Sequence, residues 1–232
     1  MINIEICANS VLSAQAAKMG GAQRIELCAN LECGGLTPMS EDVDYCVRVL
    51  GMRTHVLVRP RAGNFYYNAS EVGEIERSVE EFRRLGAAAV VVGFLDYNGH
   101  VDVDLTRHIV ALAAPMEVTF HRAFDEAQQE PLEALAAVVS TGCHRLLTSG
   151  QAPTAIEGAS VIREMVEYTK QLPPSQKRFK ILAGSGVTPL NVRRLIEATG
   201  VEEVHGSCKT TLPDGTMQTD PDQVKELIEK MR

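Results

Sequence analysis

The side chains in this sequence that could do chemistry stand where apolar strands end. The stretch MEVTFHRAFD begins as a β-branched and aromatic run, and it becomes cationic at His121 and Arg122. The stretch HVLVRPR behaves in the same way and ends in Arg59 and Arg61. Imidazole and guanidinium groups can hold anions or, in the case of imidazole, transfer protons. The pattern predicts a site assembled from the ends of several strands.

Two carboxylates stand one step back from these ends. The hexapeptides IEICAN and IELCAN are near copies, and they indicate equivalent places for Glu5 and Glu26 on neighbouring strands. If both point inward, they could orient the arginines or accept a proton. The alternative is a structural ion-pair network inside the protein, because buried carboxylates need partners. The predicted catalytic residues are Glu5, Glu26, Arg59, His121 and Arg122.

Glycine-rich turns suggest an anion site. Gly184-Ser185-Gly186 precedes a helix that we expect to begin at Thr188 and Pro189, and His205-Gly206-Ser207 follows the next strand. Backbone N–H groups of two such loops and a helix N-terminus can hold a phosphate. The alternative is that these are ordinary turn glycines. The predicted anion-binding residues are Arg61, Ser149, Gly184, Ser185, Gly186, His205, Gly206 and Ser207.

Thiols offer a second kind of site. Cys7 and Cys28 are expected at similar height on neighbouring strands, where soft thiolates could hold Cu(I). The alternative is that both are small buried hydrophobic side chains. The chain has six cysteines, which are spread along its length and form no C-x-x-C pair. This usage predicts free thiols in a reducing cytoplasm.

The elements that must position these groups alternate strictly. The periodicity predicts strands at 2–7, 24–28, 54–59, 88–94, 116–120, 145–148, 179–183 and 203–205. Helices are predicted at 10–19, 40–50, 71–85, 102–114, 131–140, 154–168, 188–200 and 221–231, with Ser40 as an N-cap. Eight such units predict an α/β fold, a single (β/α)8 TIM barrel that forms one domain over residues 1–232. The alternative is an open doubly wound sheet, which the absence of a glycine fingerprint in the first turn disfavours.

Composition excludes several classes of partner. The net charge of −7 and pI of about 5.4 argue against a broad nucleic-acid surface. No apolar run approaches the roughly 18 residues of a membrane span, and the N-terminal stretch MINIEICANS lacks the basic start of a signal peptide. We therefore predict a cytoplasmic protein with a small anion or Cu(I) as ligand, no organic cofactor, and no nucleic-acid or membrane partner. The aromatic residues Phe65, Tyr66 and Tyr67 could form a lid or an oligomer contact.

Several segments together carry a family resemblance. IELCANLECGGLTP, VLVRPRAGNFYY, VTFHRAFD, LLTSG, LAGSGV and VHGS, in this order, resemble the CutC copper-homeostasis family. The resemblance implies a cytoplasmic TIM barrel that forms a homo-oligomer, a dimer or a tetramer, and binds Cu(I) through cysteines. The family's proposed copper cysteines map to Cys28 and Cys46, so the predicted metal ligands are Cys7, Cys28 and Cys46. The family has no agreed reaction, and an enzyme that acts on a small anionic or phosphorylated metabolite stays the alternative.

Overall fold

Eight parallel strands close into a barrel in the computed structural model, which describes residues 2–213 and 215–231. β8 pairs with β1, so strands from both ends of the chain share one ring. The predicted (β/α)8 barrel is confirmed, and the open doubly wound sheet is wrong. The strands are β1 (Asn3–Ala8), β2 (Arg24–Leu27), β3 (Arg53–Leu57), β4 (Ala89–Val92), β5 (Glu117–Phe120), β6 (Arg145–Thr148), β7 (Lys180–Ala183) and β8 (Glu203–Gly206).

Helices cover the outside of the barrel and bury its outer face. The large apolar core lies between the two layers, while a small cluster of Cys7, Cys28, Leu57 and Val91 lies inside the barrel. Among the described residues, no helix is long and apolar enough to cross a membrane. The helices are α1 (Val11–Met19), α2 (Ser40–Asp44, continued by a π-helical turn at Tyr45–Val49), α3 (Ala69–Leu85), α4 (Val103–Ala113), α5 (Pro131–Ser140), α6 (Ala159–Lys170), α7 (Val192–Thr199) and α8 (Pro221–Lys230).

Several helix starts differ from the prediction, and those of α6 and α7 differ by the most residues. α7 begins at Val192, not at Thr188, because the Thr188 N–H donates to Asn191 Oδ1 and residues 188–191 form a turn. α6 begins at Ala159, after turns in which the Glu157 N–H donates to Thr154 Oγ1. Ser40 is the first residue of α2 rather than its N-cap. The start of α7 matters most, since the predicted phosphate cup needed a helix N-terminus directly after Gly186.

The two near-copy hexapeptides are not level with each other. Glu5 pairs in register with Arg24, and Cys7 pairs with Glu26, so β2 is displaced by two residues relative to the prediction. Strands of a closed barrel are staggered, and each pair contributes part of that stagger. Because side chains alternate, a shift of two residues keeps the inward face and changes the layer. Glu26 therefore reaches the level of Cys7, while Glu5 lies one layer deeper.

Charged side chains fill part of the barrel interior below the strand ends. Arg24 Nη2 lies 2.6 Å from Glu203 Oε2, and Arg145 Nε lies 2.9 Å from the same oxygen. Arg145 Nη1 also lies 2.6 Å from Glu117 Oε2. The structural ion-pair network that was the alternative for buried carboxylates is therefore present in this lower layer of the barrel. Its arginines are Arg24 and Arg145, not the arginines at the strand ends.

A two-stranded antiparallel sheet follows the barrel and was not predicted. Its strands are β9 (Lys209–Thr211) and β10 (Met217–Thr219), and they are too short and polar to show an alternating pattern. The Thr219 N–H donates to Ser13 Oγ over 3.1 Å, which ties β10 to α1. The sheet holds the segment after β8 over the end of the barrel.

Candidate functional site

A cavity of about 670 Å³ opens at the C-terminal ends of the barrel strands. Arg59, His121 and Gly186 all line it, although they lie far apart in the sequence. Its volume is that of a site for a small molecule. Predicted site residues that line the cavity are Cys7, Glu26, Cys28, Arg59, His121, Arg122, Ser185, Gly186, His205, Gly206 and Ser207.

Two thiols, a carboxylate and an imidazole form the deepest part of this cavity. Cys7 Sγ lies 3.9 Å from Cys28 Sγ. One donor atom from each of Cys7, Glu26 and His205 falls within 4.8 Å of the other two. His205 Nε2 lies 3.5 Å from Glu26 Oε2. These four groups can bind a soft metal ion or exchange protons with a ligand.

Glu5 lies directly beneath this group and is completely buried. Its Oε1 lies 3.0 Å from His205 Nδ1, and its Oε2 lies 2.8 Å from both Arg24 Nε and His55 Nδ1. The contact with Arg24 is an ion pair, whereas burial lowers the pKa of His55, so His55 contacts Glu5 as an uncharged ring. Burial would raise the pKa of Glu5, but His55, Arg24 and His205 outweigh it and hold this pKa well below the usual value. Glu5 is thus an anion that orients His205 from below.

His205 is held between two carboxylates. Burial lowers its pKa, but the contact with Cys7 and the charges of Glu26 and Glu5 raise that pKa well above the usual value. The imidazole is therefore cationic at neutral pH. The pKa of Glu26 is raised, mainly by burial and also by the charge of Glu5, against the opposing effect of His205. The pKa of Cys7 is raised by its contact with Cys28 and by burial, so this thiol is protonated when no ligand is bound.

His121 has the opposite electrostatic character on another wall of the cavity. Burial and the nearby Arg59 guanidinium lower its pKa to about 3. Its Nδ1 accepts from the Ala123 N–H over 3.1 Å, which places the ring proton on Nε2. Within the described chain, Nε2 is buried and has no hydrogen-bond acceptor. His121 is therefore a neutral donor without a protein partner.

The two arginines that line the cavity differ in how many protein contacts hold their guanidinium groups. Arg59 donates to the carbonyl oxygens of Cys33, Gly35 and Gly63, and its guanidinium lies 4.9 Å from the centre of the Phe65 ring. Those contacts make Arg59 a brace for two loops. Arg122, by contrast, is about half exposed.

Arg122 is oriented through Asp125 rather than by carbonyl contacts. Its Nε lies 2.8 Å from Asp125 Oδ2, and the same carboxylate accepts from the N–H and hydroxyl groups of Ser149. Asp125 thereby ties the loop after β5 to the loop after β6. Arg122 remains the more available of the two cavity arginines for a ligand.

Several predicted residues lie outside the lining of the cavity. Arg61 turns outward, where it pairs with Glu71 over 2.6 Å and stacks on Tyr67. Ser149 is buried, and its one hydroxyl proton is shared between Asp125 Oδ2 at 2.9 Å and the Ala152 carbonyl oxygen at 2.6 Å. Cys46 lies in the π-helical turn after α2, buried in the outer core.

Gly184 has a packing role beside the cavity. A Cβ atom there would lie 2.6 Å from Leu147 Cδ1 and 3.2 Å from His205 Cβ. The absence of a side chain at Gly184 therefore lets the end of β7 approach Leu147 and His205 closely. This spatial need accounts for the residue type, and Gly184 lies outside the lining of the cavity.

The loops after β7 and β8 present backbone donors. In the described part of the chain, the N–H groups of Ser185, Gly186, Val187, Ser207 and Cys208 donate to no other atom. All five residues line the cavity. The Ser185 hydroxyl is not available in the same way, because it donates to the Pro153 carbonyl. Lys209 adds a cation beside this loop pair.

Sequence reasoning missed two contributors. His55 was taken as the start of a strand, yet it contacts Glu5 inside the barrel. Phe65 was taken as part of a lid or an interface, yet it is buried and its ring centre lies 5.0 Å from that of His121. Lys209, which the sequence places near the mouth just past β8, lines the cavity at the start of the β9–β10 sheet. The inward alternation of His55 with Leu57 gave a signal, whereas the position of Phe65 depends on the path of a loop.

Comparisons with known proteins give a consistent family. The chain is 45% identical over 206 residues to family protein CutC of Chromobacterium violaceum, which covers 89% of this chain and 81% of the relative. It is 40% identical over 212 residues to family protein CutC of Bacteroides fragilis strain YCH46, covering 91% and 82%. A structure of phosphoribosylanthranilate isomerase from Thermotoga maritima superposes with a TM-score of 0.63, and the match covers 100% of this chain and 98% of that one. At 16% sequence identity, this likeness shows only that the two proteins share the barrel fold.

A crystal structure of CutC from Streptococcus agalactiae, provisionally named a copper homeostasis protein, superposes with a TM-score of 0.81. It is 30% identical in sequence, and the match covers 89% of this chain and 99% of that one. The sequence profile of the CutC family matches residues 2–210. On this match and on the identities above, the chain belongs to the CutC family.

Proposed function

We propose that this protein binds Cu(I) as a cargo ion at the floor of the barrel cavity, as part of copper homeostasis in the cytoplasm. The observation that carries the proposal is the 3.9 Å separation of Cys7 Sγ and Cys28 Sγ beside His205. Thiolates are soft ligands that favour Cu(I), and imidazole is a good additional donor. All six cysteines are free, which suits a compartment in which thiols stay reduced.

The spacing of the sulfurs fits a chelated ion. With metal–sulfur bonds of about 2.3 Å, the length found in zinc sites, sulfurs 3.9 Å apart subtend an angle of roughly 115° at the metal. A bent arrangement of this kind leaves room for a third ligand. His205 Nε2 is the natural candidate, because Glu5 holds Nδ1 of the same ring in the carboxylate–histidine arrangement that orients metal ligands.

Protons must leave when the ion binds. The pKa of Cys7 is raised and His205 is cationic in the ligand-free protein, whereas both must be deprotonated to act as ligands. Cu(I) affinity should therefore rise with pH, and binding should release protons into solution. Cys46, buried in the outer core away from the cavity lining, is not in the ligand set that we propose.

Anaerobic titration with Cu(I) against a competing chelator such as bicinchoninate tests this proposal. Cys7→Ser and Cys28→Ser should each lower the affinity by about tenfold or more, because even the loss of a residue that only orients a ligand typically costs about 10–100-fold. Cys46→Ser, a matched change of a buried thiol elsewhere, should leave the affinity unchanged. Unchanged binding in both cavity variants would remove the proposed site, and a loss in Cys46→Ser would favour the ligand set implied by the family resemblance.

A second function has its own observation in favour. We propose as an alternative that the cavity binds a small organic anion, such as a phosphorylated metabolite, and acts on it as an enzyme. The unpaired N–H groups of Gly186, Val187 and Ser207, with Lys209 and Arg122 nearby, support this alternative. Backbone donors and cations of this kind stabilise phosphate or carboxylate groups.

Inorganic phosphate is the simplest probe of the second function. In amide NMR spectra, phosphate should move the resonances of Gly186, Val187 and Ser207 and leave those of exposed loops elsewhere unchanged. Lys209→Gln should weaken the effect, and Lys225→Gln, on the exposed side of α8, should not. Shifts spread over the whole surface, or none at all, would count against an anion site in these loops.

A further inference from the structure

The position of His121 is set by its neighbours rather than by the ligand. A Cβ atom on Gly93 would lie 2.3 Å from His121 Nδ1 and 2.9 Å from Ala123 Cβ, so only glycine leaves room for this ring. Phe65 packs against another side of the imidazole, with ring centres 5.0 Å apart. The Ala123 N–H donates to Nδ1. The ring is therefore held in one orientation in advance, as binding groups must be.

The chemistry of this ring is equally restricted. Nδ1 is occupied as an acceptor, so Nε2 carries the proton and can only donate. Nδ1 faces Gly93 and Ala123, which leaves Nε2 on the opposite side of the ring. His121 is 6% exposed, and no described atom accepts from Nε2. A buried donor without an acceptor is uncommon, because leaving it unpaired is costly.

The missing acceptor should come from a ligand. A carbonyl oxygen suits a pure donor better than a hydroxyl group does, because a hydroxyl also brings a proton that needs an acceptor. The same cavity carries the unpaired N–H groups of the loops after β7 and β8. A single small molecule in about 670 Å³ can contact both walls.

We propose that the cavity binds a small organic anion that contains a carbonyl group, with the carbonyl oxygen accepting from His121 Nε2 and the anionic group held by the loops after β7 and β8. This inference rests on the second function proposed above, and it specifies the substrate class. His121 is then a neutral electrophilic contact that polarises the carbonyl without supplying a charge. Neutral imidazole donors serve this purpose in other barrel enzymes.

Matched pairs of probes test the carbonyl preference directly. Dihydroxyacetone phosphate and glycerol 3-phosphate differ in one oxygen, a ketone in the first and a hydroxyl in the second; pyruvate and lactate form a second pair. Dissociation constants are measured by NMR titration of histidine ¹⁵N-labelled protein. The carbonyl member of at least one pair should bind about fivefold tighter or more, which is the effect of one neutral hydrogen bond. That probe should also move the His121 Nε2 resonance.

His121→Phe keeps an aromatic ring against Phe65 and removes the donor. The preference for the carbonyl member should disappear in this variant, because its affinity should fall to that of the hydroxyl member. His108→Phe, on the exposed face of α4, is the matched control and should retain the preference. The ¹⁵N titration of the unaltered protein provides the same answer if His121→Phe does not fold.

The outcomes separate the two proposals. Equal binding of both members of each pair, or a His121 Nε2 resonance that does not respond to a bound carbonyl probe, overturns the inference and leaves the anion site standing. Failure of all four probes to bind overturns the anion site and the inference together. Retention of the carbonyl preference in His121→Phe also overturns the assignment of the donor.

Discussion

Glu5→Gln should destabilise the protein strongly, because it removes a buried carboxylate charge that contacts Arg24, His55 and His205 together. Glu5 and His55 are completely buried, and the side chains of Arg24 and His205 are only 8% and 12% exposed. Removing one partner of a buried ion pair typically costs about 3–5 kcal/mol. Arg24 keeps Glu203 at 2.6 Å and His205 keeps Glu26 at 3.5 Å, so neither cation loses all of its compensation. We therefore expect a loss near the lower end, about 3 kcal/mol.

Urea unfolding of both proteins at pH 7 measures this loss. Glu202→Gln is the matched control, since Glu202 pairs with Lys180 at the surface and such pairs contribute about 0–1 kcal/mol. Because the pKa of Glu5 is lowered in the folded state, its stabilisation is complete above the unfolded value of 4.5 and is lost as pH falls toward the folded pKa. The difference between the two proteins should thus shrink below about pH 4.5. A loss under about 1 kcal/mol at pH 7, or a difference that grows on acidification, would refute the reasoning.

Three further predictions follow from the same cavity. Gly93→Ala should destabilise the protein by about 1–3 kcal/mol and displace the His121 ring. Thermal unfolding measures the first effect, and the NMR resonances of the His121 ring measure the second. Ring resonances that do not move would contradict the close approach of Gly93 to His121. Folding lowers the pKa of His121 from 6.5 to about 3, so below pH 6.5 the unfolded chain binds a proton that the folded chain does not accept. His121→Phe should therefore lose less stability than the unaltered protein between pH 6.5 and pH 4. Parallel curves of unfolding free energy against pH for the two proteins would contradict this sign. Arg59→Lys should loosen the loop at 31–36, because an ammonium group cannot donate to the carbonyl oxygens of Cys33, Gly35 and Gly63 in the fixed geometry of a guanidinium. Limited proteolysis should then cleave this loop faster, while cleavage at other sites stays unchanged.

The barrel itself could be predicted because its signal is local and repeated. Apolar runs of strand length recur between amphipathic stretches, and β4 with its sequence AVVV is buried at every residue, as a strand covered on both faces should be. Such alternation leaves few arrangements for the chain. Parallel strands place their carboxyl ends at one mouth, so the sequence also placed Arg59 and His121 at a common cavity.

The direction of individual side chains near the mouth could not be predicted. Arg59 and Arg61 are two residues apart in a polar strand exit, yet one turns into the cavity and the other turns out to Glu71. After a strand ends, the alternation of faces no longer holds, and the path of the loop decides. The layer of Glu26 likewise depends on the stagger between β1 and β2, which closure of the barrel imposes.

The sequence by itself determined the order of strands and helices, and with it the mouth at which Cys7, Cys28 and His205 could meet, because hydrophobic periodicity is a property of neighbouring residues. Only the tertiary structure decided which groups meet and in what charge state. His205 is cationic because Cys7, Glu26 and Glu5 reach it from two other strands, and His121 is neutral because it is buried beside Arg59. Protonation depends on distances between residues that are remote in the chain, and no local pattern encodes those distances.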